Sequence, residues 1–167
     1  MIKLIGAILI ICTSAVLGYT LSKNLKKRCR ALEEFIGALE YIKPCICVMD
    51  RRMEDILKDA NEKFNLSGIF LNTLENFRLK GIKSAWADSV DSVAEGLCLN
   101  EDDRDIIKSV GERLGKTYAE DQRENIDGVI LRLQMNLDLA RMDYNKNGVL
   151  LRKCSVLTGI MLVMMLI

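Results

Sequence analysis

Two apolar runs bracket a long middle in which hydrophobic residues recur every three or four positions. From Leu4 to Leu21 eighteen residues pass without a charge, nine of them Leu, Ile or Val. From Cys154 to Ile167 a second uncharged run, CSVLTGIMLVMMLI, closes the chain. Between them the spacing is helical and no strand-like alternation persists. Leu25, Cys29, Leu32, Ile36 and Leu39 predict one stripe of a first helix that continues out of the first run and bends or ends near Pro44, because proline removes a backbone donor and disfavours helix at the residue before it. Met53, Ile56, Leu57 and Ala60 predict a second helix with Asp50 as its cap. A third ends at Gly81, and a fourth over 82–95 buries Ala85, Trp86, Val90 and Val93. Asn100 and Asp103 form a capping pair opening a fifth, with Ile106, Ile107, Val110 and Leu114 facing inward. Thr117 and Glu120 box the start of a sixth, which carries Ile126, Val129, Ile130, Leu133, Leu137, Ala140 and Tyr144 towards the second run. The expected fold is all-α, a six-helix bundle with short connections, flanked by N- and C-terminal transmembrane helices.

The membrane reading rests on charge placement. A run of eighteen apolar residues at about 1.5 Å each nearly matches a hydrocarbon core of about 30 Å. A cleaved signal carries its positive charge before the run and a small-residue site after it. Here only Lys3 precedes the run, whereas Lys23, Lys26, Lys27, Arg28 and Arg30 follow it. Ile11 before Cys12 also departs from a lipoprotein cleavage site. The first run is therefore expected to be an anchor whose following residues stay in the cytoplasm. The second run spans only about 21 Å as helix, and Arg152 and Lys153 stand before it. These features divide the chain into an anchor over 1–22, a cytoplasmic helical domain over 23–152 and a short C-terminal transmembrane segment over 153–167.

Composition narrows the chemistry. The 167 residues hold 24 basic and 23 acidic side chains, so no global field points to nucleic acid. Histidine is absent, which removes the usual general base at neutral pH and the commonest metal ligand. No glycine-rich phosphate loop occurs. The six cysteines include one C-x-C, Cys45 and Cys47, without the second pair a zinc site needs; in a reducing compartment they serve as small apolar fillers. The carboxylates at Glu33–Glu34, at Asp102, Asp103 and Asp105, and at Glu120–Asp121 sit where helix starts or solvated faces place them. The basic cluster at 23–30 sets topology and can attract anionic lipid. Ala7, Ser14 and Gly18 are small enough to let another membrane helix approach closely. Trp86 reads as a core residue whose indole N–H needs a partner. Residue chemistry thus ends at a non-enzymatic, membrane-anchored helical domain facing the cytoplasm, with no cofactor; a tethered sensor or adaptor would share this topology and the lack of catalytic motifs.

Several patches in order along the chain resemble the stage III sporulation protein AB family: KLIGAILI at 3–10, RALEEFIGAL at 30–39, AW at 85–86, ERLGKTYAEDQRENI at 112–126 and the tail LTGIMLVMMLI. The chain departs from the family pattern at Val48, at RRM over 51–53 and at Tyr118. The resemblance implies likeness to the inner-membrane platform proteins of type II secretion and type IV pilus machines. It further implies a place in the mother-cell or outer forespore membrane, within a secretion-like transenvelope complex between mother cell and forespore. The expected partners are a secretion-type ATPase and other membrane proteins of that complex, together with membrane lipid and possible further copies of the chain. Leu114, Gly115, Asp121, Gln122 and Arg123 are the residues expected to contact the partner, with capping and loop closure as their alternative role.

Overall fold

A computed structural model describes residues 2–47, 52–64, 66–113 and 119–166. The described residues are helical, without strands, and form five helices. Helix α1 covers Ile2–Cys47, α2 Met53–Lys63, α3 Ile69–Leu97, α4 Glu101–Arg113 and α5 Ala119–Leu166. Five elements stand where six helices are expected because the third and fourth abut at Gly81 without a loop; the expected boundary is there, as a kink inside α3. Gly81 interrupts that element with φ 78° and ψ 158°. A residue without Cβ takes this positive φ freely, so one residue is enough to redirect the chain without a loop.

The other boundaries follow local chemistry. Helix α1 continues from the N-terminal run as expected and carries Pro44 in its last turn. Residue Asp50 lies outside the described residues, and α2 starts instead from Arg52, whose backbone is extended and whose side chain makes no cap bond. At the end of α3, Cys98 adopts a left-handed conformation with φ 59°. The Cys98 N–H donates to Glu95 O and the Leu99 N–H to Ala94 O, which satisfies two carbonyls left open by the helix end. Two residues later Asn100 and Asp103 exchange the expected capping bonds: Asp103 N–H to Asn100 Oδ1 at 2.8 Å and Asn100 N–H to Asp103 Oδ2 at 3.2 Å. Thr117, the expected cap of the last helix, lies outside the described residues.

By internal contacts the chain forms two compact units, residues 28–138 and residues 1–27 with 139–167. The core of the first unit is built as the periodicity predicts. From α1 it buries Cys29, Leu32, Ile36 and Leu39, joined by Phe35, Ala38 and Ile42. Ile56, Leu57 and Ala60 of α2, and Ala85, Trp86, Val90 and Val93 of α3, are buried as well. Helix α4 gives Ile107 and Val110, while Ile106 is half-buried and Leu114 lies outside the described residues. Helix α5 gives Ile126, Val129, Ile130, Leu133 and Leu137.

Trp86 shows why α3 and α4 pack where they do. Its indole N–H donates to Ile107 O at 2.8 Å, the partner a buried indole requires. One turn on, a Cβ added at Gly111 would lie 2.7–2.9 Å from Trp86 side-chain atoms. Glycine there lets α4 settle directly on the indole. Phe70 completes the cluster with its ring centroid 5.9 Å from that of Trp86.

Candidate functional site

Two arrangements stand out beyond ordinary core packing, one in each unit. Inside residues 28–138, Asp103 is fully buried although it is a carboxylate in the first turn of α4. Arg28 of α1 reaches it through two bonds, Nε to Oδ2 at 2.7 Å and a terminal nitrogen to Oδ1 at 3.1 Å. Asn136 of α5 donates to Oδ1 at 2.8 Å. With the Asn100 N–H, the carboxylate accepts four bonds and ties α1, α4 and α5 together. A buried charge is tolerable only when paired and hydrogen-bonded in this way. Arg28 keeps 14% of its side-chain surface exposed. The capping role of Asp103 is legible in sequence, but its burial against Arg28 and Asn136 is not: these partners lie 75 and 33 residues away.

The unit made of residues 1–27 and 139–167 is different in kind. The N-terminal part of α1 and the C-terminal part of α5 run side by side in opposite directions, in contact through small residues. A Cβ added at Gly18 would fall 2.6 Å from Ser155 Cβ and 2.8 Å from the Leu151 carbonyl oxygen. One at Gly159 would fall 3.2 Å from Ser14 Cβ. Gly148 lies against Ser22, with Ser22 Oγ 3.3 Å from its Cβ position. Ser14 and Gly18, expected from sequence to admit a close helix, thus meet a segment of their own chain. Small residues at such a seam let backbones approach closely, so that dispersion and hydroxyl bonding replace large side chains. The hydroxyls are satisfied locally: Ser14 donates to Ile11 O and Ser155 to Leu151 O.

The outside of this pair is apolar. Leu9, Val16 and Leu17 on α1 are 60–64% exposed, and Leu157, Met161, Met164 and Met165 on α5 are 64–87% exposed. Among the described residues one helix is long and apolar enough to cross a membrane, the stretch Glu124–Met165 of α5, and only 12% of its most apolar window is buried. The core helix of a soluble protein would bury most of such a window. Residues 2–22 of the expected N-terminal span belong to α1.

Of the residues expected to contact a partner, Leu114 and Gly115 lie outside the described residues. Asp121, Gln122 and Arg123 fall in the first turns of α5. Immediately after them, Glu124, Asn125, Gly128, Val129 and Arg132 line a shallow cleft of about 110 Å³. A second cleft of about 320 Å³ between α3 and α4 is lined by Lys83, Asp105, Lys108, Ser109 and Glu112 among others. Its lysines are engaged, Lys83 with Glu112 and Lys108 with Asp91, each at 2.7 Å. The Ser109 hydroxyl donates to Ile106 O at 2.7 Å rather than to a side-chain base. Cys12, Cys29, Cys45, Cys98 and Cys154 are free thiols. Among the described residues no three histidine, cysteine, aspartate or glutamate side chains converge as a metal site would require.

Comparisons with known proteins point to one family. Residues 3–167 match the family model described as stage III sporulation protein AB. The chain is similar to stage III sporulation protein AB of Bacillus subtilis (strain 168), 24% identical over 171 residues that cover 99% of each chain. It is also similar in fold to a solved structure of stage III sporulation protein AB, with a TM-score of 0.64 and 20% identity. That match covers 71% of this chain and 96% of the other.

Proposed function

The chain belongs to the stage III sporulation protein AB family, and from that premise we propose that it is a non-enzymatic membrane platform of a secretion-like sporulation complex. In this reading the two segments of the glycine–serine pair cross the membrane of the mother cell around the forespore. Residues 28–138 stand on the cytoplasmic side and dock a secretion-type ATPase. The observation that carries the reading is the construction of the paired segments, small and closely packed where they meet and apolar where they face outward. Lipid tails are the solvent that suits such a surface. Attachment through both ends of the chain suits a platform, because two tethers restrict rotation of a domain where one leaves it free. The docking surface in this reading is the first turns of α5, where Asp121, Gln122 and Arg123 fall, with the cleft that follows them, lined by Glu124, Asn125 and Arg132.

The test is a mild-crosslinking pull-down of the tagged full-length chain from sporulating cells. The platform reading expects recovery of a secretion-type ATPase with other membrane components, and loss of the ATPase when Gln122→Ala is introduced without a change in membrane localisation. Folded, membrane-localised bait that repeatedly returns no ATPase would remove the reading and leave a tethered sensor or adaptor.

A further inference from the structure

The charges of the two units differ sharply. Residues 28–138 hold sixteen basic and twenty-two acidic side chains, whereas residues 1–27 with 139–167 hold eight basic and one acidic, Asp143. In the first unit Arg28, Lys43, Arg78 and Lys80 each pair with a carboxylate. In the second, Lys23, Lys26 and Lys27 of α1 and Lys146 and Lys153 of α5 are exposed, and among the described residues no carboxylate pairs with them.

Tertiary structure brings these five lysines together from opposite ends of the sequence. The contact of Ser22 with Gly148 sets Lys23 and Lys146 at one level of the helix pair. The contact of Gly18 with Leu151 and Ser155 sets Lys153 about one helical turn further into the apolar part. Four cations therefore stand at the edge of the apolar surface, and a fifth lies just inside it on a stem long enough to reach back. Such a cluster of like charges repels itself unless anions neutralise it, and Asp143 is the one acidic side chain that residues 1–27 and 139–167 contribute.

We propose that this lysine collar binds the phosphate headgroups of anionic phospholipids, so that the helix pair selects its surrounding lipid. The proposal rests on the membrane reading given above. Lysine has the right chemistry for it, because a compact charge on a flexible stem follows mobile phosphates without the fixed fork by which arginine selects a single anion.

The experiment is reconstitution of the full-length chain into nanodiscs of phosphatidylcholine with increasing phosphatidylglycerol, reading the lipid next to the protein with spin-labelled lipids. The expected result is a preference for phosphatidylglycerol over phosphatidylcholine of about threefold at low salt, weakened by screening at high salt. The preference falls to parity when Lys23, Lys26, Lys27, Lys146 and Lys153 are all replaced by Gln, while incorporation and Trp86 fluorescence stay as they were. A chain that enters both kinds of bilayer and shows no preference, or a variant that keeps it, overturns the collar and leaves the membrane reading standing. A chain that enters neither bilayer overturns both.

Discussion

Replacing Asp103 by Ala removes the carboxylate on which three helices converge. Arg28, with 14% of its side chain exposed, then keeps a largely desolvated charge without the carboxylate that pairs with it here. Asn136 and the Asn100 N–H lose their acceptor at the same time. Removing one partner of a buried pair costs about 3–5 kcal/mol, and losing a helix cap costs about 1 kcal/mol. The two terms overlap, and the residual hydration of Arg28 lowers the first, so about 3–4 kcal/mol is the expected loss. Trp86 is the only tryptophan and is buried within residues 28–138. Its fluorescence during denaturation of the full-length chain in detergent therefore reports on this unit. The midpoint should fall by more than about 10 °C, at roughly 4 °C per kcal/mol. A companion variant carrying Arg28→Met, Asp103→Leu and Asn136→Leu removes the charges together and should recover much of the loss, because only the Asn100 N–H is then left without its acceptor. A loss under about 1 kcal/mol for Asp103→Ala, or a triple variant less stable than the single one, would show that the network does not hold the unit together.

Three further outcomes follow from the geometry. Gly111→Ala drives a Cβ to within 2.7–2.9 Å of the indole, and should cost about 1–3 kcal/mol with a changed Trp86 emission spectrum; unchanged emission and stability would mean that α4 shifts freely. In a cysteine-free background, Ser14→Cys with Gly159→Cys, whose Cβ positions lie 3.2 Å apart, should cross-link on oxidation. Adding Gly18→Leu should abolish that link, because the new side chain meets the Leu151 backbone carbonyl as well as the Ser155 side chain. The Arg78 hydrogen bond, and then its charge, hold the Glu54 carboxyl below its ordinary 4.5. The sign follows from a depressed folded-state value: the contribution is present above 4.5 and disappears as pH falls through the lowered value. Arg78 is exposed and Glu54 about a third exposed, so solvent screens the pair and the effect is small. Its signature is a slight extra loss of stability in acid that Glu54→Gln lacks, seen by comparing denaturation midpoints near neutrality and well below 4.5.

Much of this architecture can be read along the chain. Helix periodicity is local, so residues such as Leu32, Ile36 and Leu39, or Ile126, Val129, Ile130 and Leu133, declare their buried face within a few turns. The Asn100–Asp103 cap is equally local, three residues apart. The break at Gly81 is visible as a boundary, yet the pattern cannot show that a single residue makes it, with no loop between the two helical stretches. That depends on a backbone angle rather than on which face is apolar. Family membership is also legible, from short patches whose order along the chain carries more information than any one of them.

The order of residues alone settles the all-helical class, the buried face of each helix and the apolar character of the two ends. Tertiary structure decides which distant residues meet. Asp103 reads as a solvated helix start until Arg28 and Asn136 close over it. Ser14 and Gly18 read as a seam awaiting an unknown helix until the other end of the chain supplies Ser155 and Gly159. Lys146 and Lys153 join Lys23, Lys26 and Lys27 only once the two ends lie antiparallel. The physical reason is common to all three. Hydrophobic periodicity and capping are fixed by contacts within a turn or two, whereas charge pairing, close backbone approach and collective fields depend on the register between helices that lie far apart in the sequence.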